Sequence, residues 1–386
     1  MTGQLSVIHS YPIWLPQTQT WMYNQVKYLP NTIKSVISCE QVQNLDQFAL
    51  PRIYASNSPL GLHFFFSRTL RKLGIQYRIG PISNITKQEG AAVLHSHFGT
   101  TGWYNLIAAK RNQLKHVVTF YGLDVSKVPQ QHPIWRKRYT QLFEEADLFL
   151  CEGPYMARSL AAQGCPTNKI RVHHLGIPIE NLSFQPRKWR QGETLRVLIV
   201  ASFREKKGIP DALLALGKIK DQVDLEITII GDASKENSSQ NEKRRIFTLI
   251  ESLGLTSKVR LLGYQPYKVI LAEAFRHHIF LSPSVTASDG DSEGGAPVVL
   301  IEMMATGMPI VSTMHCDIPE VVEYGKKDWL VAEHDVDALA NRLIWLIEHP
   351  GDWAQLAQQG RNHVERHFDA SVQGLKLSKI YFNLIN

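Results

Sequence analysis

Short apolar runs alternate with helical patterns along almost the whole chain, and this alternation limits the possible folds more than any other feature. Leu5–His9, Ser35–Ser38, Ala92–His95, Val117–Phe120 and Leu148–Cys151 are apolar runs of strand length. Helical patterns lie between and after them at Thr20–Tyr28, Leu60–Leu73, Trp103–Arg111, Trp135–Glu145 and Pro154–Gln163. Strands that are apolar on both faces must be covered on both faces, which predicts a parallel sheet between two layers of helices. The pattern breaks at Pro178–Gly192, which holds two prolines and no period and reads as a linker. It then begins again, with strands at Leu195–Ala201, Leu225–Ile230, Val259–Leu262, Ile279–Ser282 and Pro309–Ser312. The helices of this half are expected at Ile209–Lys220, Arg244–Leu253, Lys268–Arg276, Val298–Thr306, Asp337–Glu348 and Asp352–His367. The serine-rich stretch Ala233–Glu242 reads as a solvated loop. A chain of 386 residues is long enough for two domains. The expectation is therefore α/β, with two doubly wound Rossmann-like domains over residues 1–184 and 185–370.

The composition excludes several classes. Hydrophobic residues make up 44% and charged residues 20%, ordinary values for a soluble globular chain. No apolar run approaches the ~18 residues that span a membrane. The N-terminal stretch lacks a basic n-region, a long apolar core and a small-residue cleavage site, so it does not read as a secretory signal. Cys39, Cys151, Cys165 and Cys316 form no CxxC pair, which fits a reducing compartment and argues against structural zinc. Residues 1–185 carry 18 Lys and Arg against 9 Asp and Glu, whereas the remainder carries 24 against 26. A basic half suggests an anionic surface or substrate. Zinc-finger spacing, aromatic RNA-binding motifs and basic repeats are missing, so nucleic acid is not the expected partner.

Ligands of doubly wound sheets bind beyond the carboxyl ends of the strands, so the loops there carry the chemistry. The most informative is Thr286–Val311, an acidic, glycine-rich loop that leads into a helix stopped at Gly307. Pro297 is expected as the first helical residue. The free N–H groups of a helix start attract an anion, and Gly294 and Gly295 allow close backbone approach. Glu293 precedes this helix and Glu302 lies about one turn inside it. A carboxylate can accept hydrogen bonds from two vicinal hydroxyls, so the pair suits the diols of a nucleotide sugar. Asp289, Asp291 and Glu293 also imitate the start of an EF-hand loop, but Leu300 stands where that loop needs its glutamate and Pro297 interrupts it. The loop Val200–Asp211 follows the first strand of the second half and clusters Arg204, Lys206 and Lys207 beside Gly208, where cations can reach a diphosphate.

These loops, the Gly231-Asp232 strand end, the stretch Cys151–Ile177 and the opening Leu15–Tyr28 resemble retaining family-4 glycosyltransferases of the GT-B fold. The wording around Glu293 is most similar to exopolysaccharide enzymes of the colanic-acid type. The resemblance implies an N-terminal acceptor domain and a C-terminal donor domain across a cleft, with residues 371–386 packing back on the first. It implies transfer of a sugar from a UDP- or GDP-sugar, with no metal or other cofactor, to a saccharide or lipid-linked acceptor. By its motifs, Lys207 meets the diphosphate, Glu293 the donor sugar and Glu302 the ribose, with Ser202, Arg204, Gly294, Gly295, Ala296, Pro297 and Val298 completing the donor site. Tyr264 either holds the base or is a half-buried loop aromatic. Three departures stand out. Eight residues separate Glu293 from Glu302 where the family has seven. Ser202 replaces an arginine, which Arg204 could supply. Tyr121 replaces a histidine before the Gly122-Leu123-Asp124 turn.

The candidate catalytic set is Glu293, Lys207, His97 and Asp124; the acceptor side adds Thr18, Thr20, Gly99 and Tyr121. His97 is expected to face the ligand, or else to be satisfied by a neighbouring loop. The pairs His173-His174 and His277-His278 read as structural. Leu60–Arg78 reads as a basic amphipathic segment, either on an anionic membrane or covering the sheet with a snorkelling edge. The expected location is the cytoplasm, at the inner face of the plasma membrane if that segment binds lipid. Two rival readings keep the fold: a partner protein that binds nucleotide sugars without turnover, and a sugar-nucleotide epimerase.

Overall fold

The computed structural model describes residues 4–15, 20–55, 79–325 and 329–386. The expected Leu60–Leu73 helix, the basic segment Leu60–Arg78 and Thr18 lie outside these residues. The chain forms two compact units: residues 1–178 with 368–386, and residues 179–367.

In the first unit the main strands are β1 (Leu5–Ser10), β3 (Ile33–Cys39), β5 (Ile53–Ala55), β6 (Ala91–His97), β7 (Lys115–Thr119), β8 (Leu148–Cys151) and β9 (Ile170–Val172). A separate two-stranded pair joins β2 (Ile13–Trp14) to β4 (Gln41–Val42). The main sheet has the order β5-β3-β1-β6-β7-β8-β9, and every pairing is parallel. Val7, Ile8, Val93, Leu94, Val117, Val118, Phe149 and Leu150 are fully enclosed, as strands covered on both faces require. The helices of this unit are α1 (Thr20–Lys27), α2 (Ile79–Glu89), α3 (Gly99–Arg111), α4 (Lys127–Gln131), α5 (Ile134–Glu145) and α6 (Pro154–Ala162).

The second unit has five parallel strands, β10 (Leu195–Val200), β11 (Leu225–Ile230), β12 (Val259–Leu261), β13 (Ile279–Ser282) and β14 (Ile310–Ser312), in the order β12-β11-β10-β13-β14. Its helices are α7 (Ile209–Ile219), α8 (Asn237–Ser252), α9 (Tyr267–Arg276), α10 (Val298–Ala305), α11 (Ile318–Val321), α12 (Val336–Glu348) and α13 (Trp353–His367). The last helix, α14 (Ala370–Ile385), returns to the first unit. Asp369 starts it by accepting the N–H groups of Ser371 and Val372. Leu377 and Tyr381 then pack into the same core as Leu5, Val7, Ile33, Val117 and Leu150.

Two expectations need correction. The expected solvated loop Ala233–Glu242 ends early, because α8 already begins at Asn237. Ser239 is buried there; its hydroxyl donates to the Phe203 carbonyl at 2.6 Å and accepts the Ser234 N–H, so the serines tie the helix down. The segment expected as a polar linker is packed rather than solvated. Ile179, Leu182, Arg187 and Trp189 are buried, and the Arg187 guanidinium donates to the carbonyls of Thr306, Ala274 and His277. A cation over the last carbonyls of α10 is well placed for the helix dipole.

Gly374 marks how closely α14 sits: a Cβ there would lie 1.9 Å from the Tyr28 carbonyl oxygen. Gly374→Ala is expected to destabilise the fold by about 1–3 kcal/mol through forced displacement of this helix. Gly80→Ala in α2, with nothing within 4 Å of its Cβ, serves as the control and is expected to stabilise slightly, by about 0.4–1 kcal/mol. Urea unfolding of both variants checks this, and equal midpoints would refute the packing argument.

Candidate active site

A doubly wound sheet opens where its strand order reverses, and ligands enter beyond the carboxyl ends at that point. In the second unit this is between β10 and β13. The loops that follow these two strands are the two that the sequence singles out. They touch at Gly208, whose φ of 62° and whose approach to Pro283 leave no room for a side chain: a Cβ would lie 1.8 Å from the Pro283 carbonyl oxygen.

Charge joins the same loops. Lys207 Nζ lies 2.7 Å from Glu293 Oε1, and Ser284 donates to that oxygen at 3.0 Å. Lys206, itself buried, donates to the Ser292 carbonyl at 2.7 Å and lies 3.3 Å from Asp291 Oδ1. Arg204 Nη2 reaches Asp291 Oδ2 at 2.6 Å. Three cations on one loop thus meet two carboxylates on the other. Burial alone would raise the Glu293 pKa, but the Lys207 and Lys206 ammoniums outweigh it and hold the carboxyl at about 2. The same pairing engages two of the three acidic residues that imitate a calcium loop, Asp291 with Arg204 and Lys206 and Glu293 with Lys207.

The helix α10 follows directly. It starts at Val298 with no side-chain cap, and Pro297 is the capping residue rather than the first helical one. Ala296 precedes it. Glu302 sits on its second turn, partly buried; burial pushes its carboxyl up to about 7, against a hydrogen bond from the Tyr267 hydroxyl. Gly294 turns left-handed at φ 76°, and the extra residue between the two glutamates does not take Glu293 away from Lys207. Ser202 contributes its carbonyl, which accepts the Arg204 N–H at 2.8 Å. Tyr264 is 59% exposed, so it is not a half-buried aromatic; its hydroxyl donates to the Asp232 carbonyl at 2.7 Å.

In the first unit the order reverses between β1 and β6. There the structure moves two expected ligand contacts inward. His97, expected to face the ligand, is fully buried, with Nδ1 2.6 Å from the Tyr121 hydroxyl and Nε2 3.2 Å from His9 Nδ1. Asp124 is buried as well: one oxygen accepts the Gly99 N–H at 2.7 Å and the other the Tyr121 N–H at 2.9 Å. Burial pushes its carboxyl up to about 6, and these backbone donors oppose that. Both residues support Tyr121, which also donates to Gln25 at 3.0 Å. Thr20 begins α1 and Gly99 begins α3.

His9, His95 and His97 bring ring nitrogens within 4.8 Å of one another, a spacing a metal could use. However, His97 spends both nitrogens on Tyr121 and His9, and His95 spends both on the Tyr381 and Thr119 hydroxyls. Burial lowers the pKa of all three, so they are neutral. In the other two histidine pairs, His174 and His277 point Nδ1 at the backbone carbonyls of Glu152 and Glu273.

The sequence reading did not single out Tyr267, Gln25, His315 or Glu333. His315 follows β14 by three residues, at the same carboxyl edge as the other loops, and that position was the available signal.

Two α/β units, each built on a parallel sheet, are the parts of the GT-B fold, and comparison with known proteins gives the family. The profile described as glycosyl transferases group 1 matches residues 183–363, and that of glycosyltransferase family 4 matches residues 18–181. The chain is 34% identical to WcaL of Escherichia coli (strain K12), a colanic acid biosynthesis glycosyltransferase by name, over 84% of this chain and 80% of that one. It is also 34% identical to the amylovoran biosynthesis glycosyltransferase AmsK of Erwinia amylovora, over 76% of this chain and 70% of that one. The fold is similar to that of Anabaena HepE in complex with UDP-glucose, with a TM-score of 0.76, 16% identity and coverage of 98% of this chain and 100% of that one. The fold is GT-B, and the chain belongs to glycosyltransferase family 4. Among the described residues, no helix is long and apolar enough to cross a membrane.

Removing Asp291 leaves Lys206 buried and releases Arg204. Asp291→Ala is expected to lose about 3 kcal/mol of stability, in the range of a broken buried pair. Chemical unfolding measures it, and an unchanged midpoint would show that the cluster is not held together by this carboxylate.

Proposed function

We propose that this protein is a retaining glycosyltransferase that moves a sugar from a nucleoside-diphosphate sugar to a saccharide or lipid-linked saccharide, in the synthesis of exopolysaccharide or another cell-surface glycan. The observation that carries this reading is the pair of cations, Arg204 beside Asp291 and Lys207 beside Glu293, at the strand-order reversal of the second unit, directly before α10. The bond that breaks joins the anomeric carbon to the diphosphate. Charge develops on the departing oxygen, where Lys207, Arg204 and the backbone N–H groups at the start of α10 stabilise it. Glu293 orients the sugar, Glu302 the ribose hydroxyls, and Tyr264 offers a ring to the base. The chain's own cations offset the diphosphate charge, so no metal is needed. The first unit receives the acceptor near Tyr121, with His97 and Asp124 as positioning residues behind it.

The names of WcaL and AmsK support a role in exopolysaccharide synthesis, and HepE with UDP-glucose supports a sugar nucleotide as donor. Such chemistry belongs at the cytoplasmic side of the membrane, and the excess of basic residues in the first 185 supports contact with anionic lipid there.

Thermal unfolding with UDP, GDP and their sugars, with and without chelator, tests the reading. One base is expected to raise the melting temperature regardless of chelator. No shift with any of them would reject the donor site. Lys207→Ala is expected to reduce donor turnover at least tenfold. A wild-type rate would remove Lys207 from the diphosphate.

Glu302 gives a pH signature. Its carboxyl ionises near pH 7, and the charged form is the better acceptor for two hydroxyls. Affinity for a sugar nucleotide, whose diphosphate diester does not titrate here, is expected to rise between pH 6 and 8. Glu302→Gln should flatten that slope in calorimetric titrations, and a slope that persists would assign it to another group.

A further inference from the structure

Glu293 is held from a direction the charge cluster does not account for. Its backbone N–H donates to Nε2 of His315 at 3.1 Å. The His315 side chain is 1% exposed, and its Nδ1 lies 2.7 Å from Glu333 Oε1. The second oxygen of Glu333 accepts the backbone N–H of Thr286 at 2.7 Å. One buried imidazole and one carboxylate therefore take the two ends of the loop 286–293. The segments bearing them are themselves paired: Met314 N–H donates to the Val331 carbonyl at 2.7 Å, and a parallel bridge joins Thr313 to Val331. The Asp317 N–H reaches the Gly295 carbonyl at 3.4 Å, just past Glu293.

The chemistry of the pair fixes its direction. An ionised carboxylate only accepts, so His315 must carry its proton on Nδ1, and Nε2 then keeps the lone pair that Glu293 N–H requires. Glu333 is ionised: burial would raise its pKa, but the His315 and Thr286 donors bring it below the ordinary value. The Cys316 thiol lies 3.1 Å from the same Nε2, and burial pushes it up to about 12, so it stays protonated and does not take the imidazole's proton.

We infer that His315 and Glu333 are positioning residues of the transferase. By setting the histidine tautomer, Glu333 fixes where the Glu293 backbone, and with it the carboxylate on Lys207, stands against the donor sugar. This rests on the reading of the second unit as the donor site. A small misplacement of a group that orients the reacting sugar reduces turnover far more than it weakens binding of the nucleotide.

Three variants test it. Glu333→Gln cannot accept at both ends: its amide N–H either faces Thr286 N–H or donates to His315 Nδ1, which puts the ring proton on Nε2, against the Glu293 N–H. His315→Leu removes the acceptor, and His315→Gln restores a carbonyl near the Nε2 position and an N–H toward Glu333. The measurements are UDP and GDP affinity by calorimetry, turnover of UDP-glucose and GDP-mannose with release of the free sugar as the readout, and the imidazole tautomer by 15N NMR of histidine-labelled protein. Expected are a fall in turnover of at least tenfold for Glu333→Gln and His315→Leu, nucleoside-diphosphate affinity within about threefold of wild type, and partial recovery in His315→Gln. In the wild-type protein His315 is expected as the Nδ1-H form. Wild-type turnover in His315→Leu, an Nε2-H tautomer in the wild-type protein, or equal loss of affinity and turnover in all three variants would overturn the proposal. Should His315→Leu not fold, Glu333→Gln and His315→Gln carry the same comparison. A wild-type protein that binds neither nucleotide would instead overturn the donor-site reading itself.

Discussion

The contact between Lys207 and Glu293 organises the second unit's functional edge. A carboxylate with only 8% of its side chain exposed is unfavourable alone, and so is a partly buried ammonium. Together they hold two loops that leave different strands, β10 and β13. Lys206 and Arg204 extend the pairing to Asp291, and Gly208 lets the backbones meet closely enough for short side-chain reach. A charged ligand entering here meets cations whose partners are already in place. It exchanges one ionic contact for another and need not strip water from a bare lysine.

The fold was legible because both sheets are parallel and covered. Such strands are apolar on both faces, and runs such as Leu148–Cys151 and Leu225–Ile230 show this in one dimension. Short edge strands were not legible. Ile170–Val172 buries one residue of three, and Ile53–Ala55 is at most half-buried, so neither has a periodic signal. Polar stretches misled in the same way. A serine that anchors α8 and an arginine that closes the end of α10 resemble solvated residues until their partners, 36 and 119 residues away in the chain, are known.

The site divided along the same line. Lys207, Glu293 and Glu302 sit in motifs contiguous in sequence, and contiguity is visible. His315 and Glu333 bond the two ends of the loop 286–293 from segments 29 and 47 residues beyond Thr286, distances over which no sequence pattern runs. In the first unit the error was one of depth. Histidine at the end of a strand suggests a surface group, yet His97 lies in a stack with His9 and His95, stripped of water and neutral. What remains at that edge is Tyr121, a hydroxyl supported from beneath by an imidazole and from the side by Gln25.

The return of α14 has a consequence for the order in which the molecule comes into being. Leu377 and Tyr381 complete a core otherwise built from residues 5–150, and Tyr381 closes the hydrogen bond to His95. A ribosome adding about 5–20 residues per second needs roughly 10–40 s to pass through the second unit before these side chains emerge. For that interval the older unit has an open apolar seam while the younger one is still being made. Of the two units, the one made first is thus sealed second.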